Sequence, residues 1–87
     1  MANHKSALKR ARQSEIRRIQ NKSYKTTARN TIKAVRNAVN NNALEQAEEG
    51  FVRAVSVLQK TASKGVIHKN KAARQISRLA RQVNQLS

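Results

Sequence analysis

Apolar residues recur along this chain at spacings of three and four, and nowhere at the spacing of two that a half-buried strand requires. Tyr24, Ala28, Ile32, Val35 and Val39 fall on one side of a helix. Leu44, Ala47, Phe51, Ala54, Val55, Leu58 and Ala62 form a second such face, and Ala72, Ile76, Leu79, Val83 and Leu86 a third. The polar run Asn40–Asn42 and Gly65 separate the three sets. The pattern predicts helices over about residues 5–39, 43–63 and 68–86, in a single domain spanning 1–87. Connections this short place neighbouring helices antiparallel, so the expected fold is all-α, an antiparallel three-helix bundle.

The end signals refine this outline. Asn42 has the side chain of an N-cap, and Glu45, three residues on, completes a capping-box-like pair. Glu45, Glu48 and Glu49 fall in the first turns of the second helix, where negative charge suits the helix dipole. Gly50, inside that helix, costs up to about 1 kcal/mol relative to alanine and is expected to mark a close helix approach. Gly65 reads as a C-terminal stop.

The start of the first helix departs from the amphipathic pattern. Lys5, Lys9, Arg10, Arg12, Arg17 and Arg18 point in every direction, with Leu8, Ile16 and Ile19 among them. A helix charged all round has no core to rest on. Residues 5–20 are therefore expected to project beyond the bundle, to fray when alone and to order when a ligand encloses them.

Charge changes the picture most. Among 87 residues there are 19 lysines and arginines against four glutamates, a net charge of +15. Such a charge opposes compaction unless a polyanion shares the surface. The charge is also segregated. Residues 1–40 hold eleven cations and Glu15, residues 41–64 hold three charges of each sign, and residues 65–87 hold five cations and no acid. A surface built only for solubility mixes its signs. On the first helix Lys22, Lys25, Arg29, Lys33 and Arg36 form a stripe beside the apolar face. On the third, Lys71, Arg74, Arg78 and Arg81 lie nearly opposite Ile76, Leu79 and Val83. One face packs, and the other meets an anion.

The stretch GVIHKNKAAR, residues 65–74, gathers cations around a helix start, where they are ordinarily unfavourable. Phosphate resolves the conflict, because a helix N-terminus offers backbone N–H groups to an anion. His68, Lys69, Asn70, Lys71 and Arg74, with Lys64, are the expected phosphate-binding corner. His68 reads as a phosphate or cap partner rather than a proton shuttle.

Tyr24 and Phe51 are the only aromatic residues, so platforms for stacking single strands are missing. Both aromatics read as core. Recognition is expected to rest on phosphates and nucleic-acid shape with few base contacts. If about eight phosphates are neutralised, affinity drops on the order of a thousandfold from low to moderate salt.

Other classes find little support. Cysteine and aspartate are absent, and the glutamates cluster away from His4 and His68. No catalytic set or metal-ligand spacing can be assembled, so neither an enzyme nor a cofactor is expected. The longest apolar run is far short of the ~20 residues that span a bilayer. The basic start is not followed by the apolar stretch of a secretory signal. It runs on into helical pattern, unlike a transit peptide. A cationic membrane-surface helix is disfavoured because residues 5–20 lack a contiguous apolar face. A basic helical DNA-compacting protein is the remaining alternative, although no helix-turn-helix spacing is present.

Two stretches carry a resemblance. MANHKSALKR at residues 1–10 and KGVIHKNKAAR at residues 64–74 resemble the signatures of the bacterial small-subunit ribosomal protein numbered twenty. The likeness extends over the whole chain, with a triple asparagine where the family more usually has a Gly/Asp-type turn. It implies a three-helix bundle that binds 16S ribosomal RNA directly, at the 5′ domain and the long stem near the 3′ end. It also implies early entry into subunit assembly, as a cytoplasmic, ribosome-bound protein that is a monomer within the particle. By resemblance, RNA contacts fall on Asn3, Lys5, Ser6, Lys9 and Arg10, and on His68, Lys69, Asn70, Lys71 and Arg74. Arg12, Arg17, Arg18, Lys22, Lys25, Arg29, Lys33, Arg36, Lys64, Arg78 and Arg81 rest on the charge pattern alone.

Overall fold

The computed structural model describes residues 2–86, with side chains from residue 5 onward. It contains α1 (Ala2–Asn40), α2 (Leu44–Ser63) and α3 (Lys69–Asn84), joined by short turns. At 1.5 Å per residue α1 is about 58 Å long and α2 about 30 Å. The bundle is only as long as its shorter helices, so nearly half of α1 extends past them. Every residue from 5 to 23 is exposed, and the first buried one is Ala28. The longest dimension is 65 Å and the radius of gyration 17.6 Å, against about 12 Å for a compact domain of this length. The expected projecting rod is present.

Both turns use one backbone device. After α1, the Asn42 amide donates to the Val39 carbonyl at 3.0 Å and the Ala43 amide to Ala38 at 2.9 Å. After α2, the Gly65 amide donates to Ala62 at 2.9 Å and the Val66 amide to Thr61 at 3.2 Å. These paired bonds satisfy carbonyls that a helix end otherwise strands, and they need a left-handed residue at the pivot. Asn42 (φ 55°) and Gly65 (φ 76°) supply it. Asparagine visits that region more readily than other side-chain-bearing residues do. Asn42 thus closes α1 rather than opening α2. The N-cap position of α2 is Ala43, which makes no side-chain cap bond, so the capping-box pair expected of Asn42 and Glu45 is absent.

Five of the nine buried apolar residues are alanines, namely Ala28, Ala38, Ala47, Ala54 and Ala72; Val35, Leu58, Leu79 and Val83 complete the core. Such small side chains let helix axes approach closely. Gly50 takes this to its limit, since a Cβ there would lie 3.3 Å from Val35 Cγ2. The close approach expected of Gly50 is the α1–α2 contact. Thr61, fully buried on α2, is satisfied by donating its hydroxyl to the Val57 carbonyl at 2.7 Å. Ile32, Val39, Phe51, Ile67, Ile76 and Leu86 are half-buried against this core. Tyr24 is half-buried where the rod leaves the bundle.

Candidate nucleic-acid interface

Each cation from Lys5 onward is exposed, so none is tied into the core. Among the described residues the one ion pair is Arg18–Glu15. Arg18 Nη2 donates to Glu15 Oε1 at 2.6 Å and its Nε to Oε2 at 3.2 Å. That fork raises the Arg18 guanidinium above its ordinary pKa, through the hydrogen bond to Glu15. Both side chains are largely exposed, and a pair of that kind is readily exchanged for other partners. The remaining described cations leave their charge to solvent or to a ligand.

The packing of α3 against α1 converts the predicted stripe into a groove. Lys25, Arg29, Lys33 and Arg36 of α1 line one side, and Lys71 and Gln75 of α3 the other. Ala28, Ile32, Leu58 and Ile67 also line it, and its volume is about 490 Å³. No acidic residue borders it. Five cations within one low-dielectric cleft raise the positive potential there above that of the same charges scattered over a convex surface. Arg74, Arg78 and Arg81 continue the positive face along exposed α3 positions. Lys22, the first residue of the predicted stripe, is exposed but does not border the groove.

At the start of α3 His68 takes the cap role, one of the two its sequence position suggested. His68 is the N-cap in extended conformation, and its Nδ1 accepts from the Asn70 amide at 3.1 Å. An accepting Nδ1 places the ring proton on Nε2, leaving that N–H as a donor. The Lys71 amide is bonded to the His68 carbonyl at 3.0 Å. Two N–H groups of the first turn, those of Asn70 and Lys71, are therefore already committed within the chain. Lys64, His68, Lys69, Asn70, Lys71 and Arg74 are all exposed around this turn.

Along the rod, Lys5, Ser6, Lys9, Arg10, Arg12 and Arg17 are exposed like Arg18. The side chain of Asn3 lies outside the described residues, as does that of His4. Leu8, Ile16 and Ile19 are also exposed, about half or more of each surface. The structure thus separates a rod with cations on all sides from a groove with cations on its rim. Sequence reasoning missed Gln75 and Gln82, whose side-chain oxygens are buried along the α1–α3 seam. Their seven-residue spacing on the Lys71 side of α3 was the available signal. Among the described residues no cluster of three His, Cys, Asp or Glu could hold a metal, and no helix is long and apolar enough to cross a membrane.

Comparison with known proteins gives a consistent result. Residues 2–84 match the family described as Ribosomal protein S20. The chain is 55% identical over 86 residues to "Small ribosomal subunit protein bS20" of Syntrophobacter fumaroxidans, covering 99% of this chain and all of that one. It is 53% identical over 87 residues to the protein of the same name from Desulfatibacillum aliphaticivorans, covering 100% of this chain and 99% of that one. The Bacillus mycoides protein of that name is 56% identical over 84 residues, covering 97% of this chain and 99% of its own.

Proposed function

Because the chain belongs to the ribosomal protein S20 family, we propose that it binds 16S ribosomal RNA directly and stabilises the RNA's fold as the small subunit assembles. It is a structural constituent of the small ribosomal subunit, bound to the ribosome in the cytoplasm, and not an enzyme. The observation that best supports direct binding is the groove between α1 and α3, which five cations border without an acid. Folded RNA presents rows of phosphates along its grooves, and the protein presents four cations of α1 along one side of its own groove with Lys71 of α3 on the other. Binding is dominated by release of counterions from those phosphates, so it is strong at low salt and falls steeply as salt rises.

The rod has a separate role. It lacks a packed face, so its helix gains stability mainly from whatever encloses it. RNA on several sides provides that enclosure: Lys5, Lys9 and Arg12 share one face of the helix, Arg10 and Arg17 a second, and Arg18 a third. Leu8, Ile16 and Ile19 then cover ribose faces instead of water. In the corner, Lys64, Lys69, Lys71 and Arg74 hold phosphate, and the Nε2–H of His68 donates to it. The contacts carried by resemblance to Asn3 and Ser6 belong to the start of the rod. The protein acts as a monomer within the particle.

Competition binding tests this reading. Labelled 16S ribosomal RNA is held by the full chain while unlabelled duplex DNA is added at equal phosphate concentration. The expected result is that DNA competes at least tenfold less well than unlabelled 16S RNA. Equal competition would make the chain a general polyanion binder of the DNA-compacting kind and would overturn the proposal.

A further inference from the structure

The α1–α3 groove has more than phosphate chemistry. Its cationic rim surrounds Ala28, Ile32, Leu58 and Ile67, and a phosphate gains nothing from aliphatic carbon. Gln75 also lines it, and the Gln75 Oε1 is shut in without a hydrogen-bond partner. An amide with unspent bonding capacity is unfavourable at the edge of an apolar surface. Its terminal torsion is soft, so a small rotation brings the polar end toward an incoming partner. The groove thus combines three chemistries at once: positive charge on the rim, the half-buried aliphatic side chains of Ile32 and Ile67 within, and one amide at its border.

We propose that this groove receives a single unpaired nucleotide extruded from the bound RNA. Its base lies over Ile32 and Ile67, which are half-buried above the fully buried Leu58, and its edge bonds the Gln75 amide. Its flanking phosphates rest on Lys25, Arg29, Lys33 and Lys71. An extruded base is held by packing of its faces against aromatic or apolar side chains and by hydrogen bonds to its edge; here the apolar side chains are aliphatic. Volume is ample for one nucleotide, since cavities of 300 Å³ and more ordinarily hold small ligands. Gln82 borders a smaller cleft of about 290 Å³ with Arg36, Val39, Asn40 and Gln85. That cleft has only one aliphatic residue and does not offer a base the same surface. The inference rests on the RNA-binding reading above and adds one point of base recognition to an otherwise backbone-reading protein.

The test uses the full chain bound to 16S ribosomal RNA, probed in parallel by a reagent that modifies base edges and by hydroxyl radicals that cut the backbone. Wild-type protein is expected to shield the edge of one unpaired nucleotide within the backbone footprint. Gln75→Leu removes the edge partner, and Ile67→Trp fills the aliphatic patch; each should return that nucleotide to reactivity while the backbone footprint persists. Gln75→Leu should also weaken binding roughly three- to tenfold, the worth of one hydrogen bond. A backbone footprint with no shielded unpaired base would overturn the base pocket and leave the RNA-binding reading standing. Shielding that survives both variants would also overturn it, because the base would then be bound elsewhere. Absence of any footprint would instead sink the RNA-binding reading itself.

Discussion

The two halves of α1 belong to one helix and have opposite physics. Residues 24–40 carry four cations, and Ala28, Val35 and Ala38 are buried among them. Residues 5–23 carry seven cations, and none of their residues is buried. In the first case the helix is held by its neighbours, and its cations are restricted to the side the neighbours leave open. In the second nothing restricts them, and charge covers every side. Positive charge therefore does not by itself define a binding face. The apolar seam does, by deciding which directions remain free.

Charge reversal on the bundle half should have the largest effect. Replacing Lys71 and Arg74 together by glutamate changes four units of charge at exposed positions of α3. Affinity for 16S RNA should fall at least about a hundredfold, with helicity by circular dichroism unchanged. A collapse of helicity would mean that this face is structural. The core gives the converse result. Leu79 is 1% exposed, and Leu79→Ala should cost about 2–5 kcal/mol in chemical denaturation without altering the RNA affinity of the molecules that remain folded. A cost under 1 kcal/mol would mean that the seam is not closely packed.

The rod should respond in the opposite sense. Deleting residues 1–18 removes six cations and should weaken RNA binding roughly tenfold or more. The stability of the bundle should stay within about 0.5 kcal/mol, as for other changes confined to exposed surface. Full affinity in the truncated chain would show that the rod does not grip RNA.

The fold was largely legible in the sequence because each helix repeats its apolar residues at helical spacing over several turns. The positions of Val35, Ala54, Leu58, Ala72, Leu79 and Val83 follow from that period alone. Asn42 was misread for a physical reason. A side chain that can cap an N-terminus can also tolerate the left-handed pivot that ends a helix, and only the backbone bonds of Asn42 and Ala43 decide between them. Similarly, the cations of α1 and α3 could be assigned to faces, but not to one groove. Which stripe faces Lys71 depends on how α3 is rotated against α1, and the sequence pattern sets that only coarsely. Gln75 was passed over because an uncharged polar residue beside an apolar stripe is unremarkable until packing encloses its oxygen.

The smallest effect separates two roles of one residue. His68→Ala removes the ring that accepts the Asn70 amide, and should cost about 1 kcal/mol of stability. His68→Asn should restore the cap, and with it the stability, while still lacking the Nε2–H donor. If RNA affinity recovers fully with His68→Asn, the histidine serves the helix and not the RNA.

The most direct measurement exploits the absence of cysteine. Single cysteines at Thr26 on α1 and Gln85 at the C-cap of α3, and at Val52 and Ser56 on α2, can each carry a tethered iron chelate that cuts nearby RNA backbone. All four positions are exposed. Strong, localised cleavage of 16S RNA from Thr26 and Gln85, with weak cleavage from Val52 and Ser56, is the predicted result. Cleavage that is equal from all four positions, or strongest from α2, would contradict the claim that α1 and α3 form the RNA-binding face.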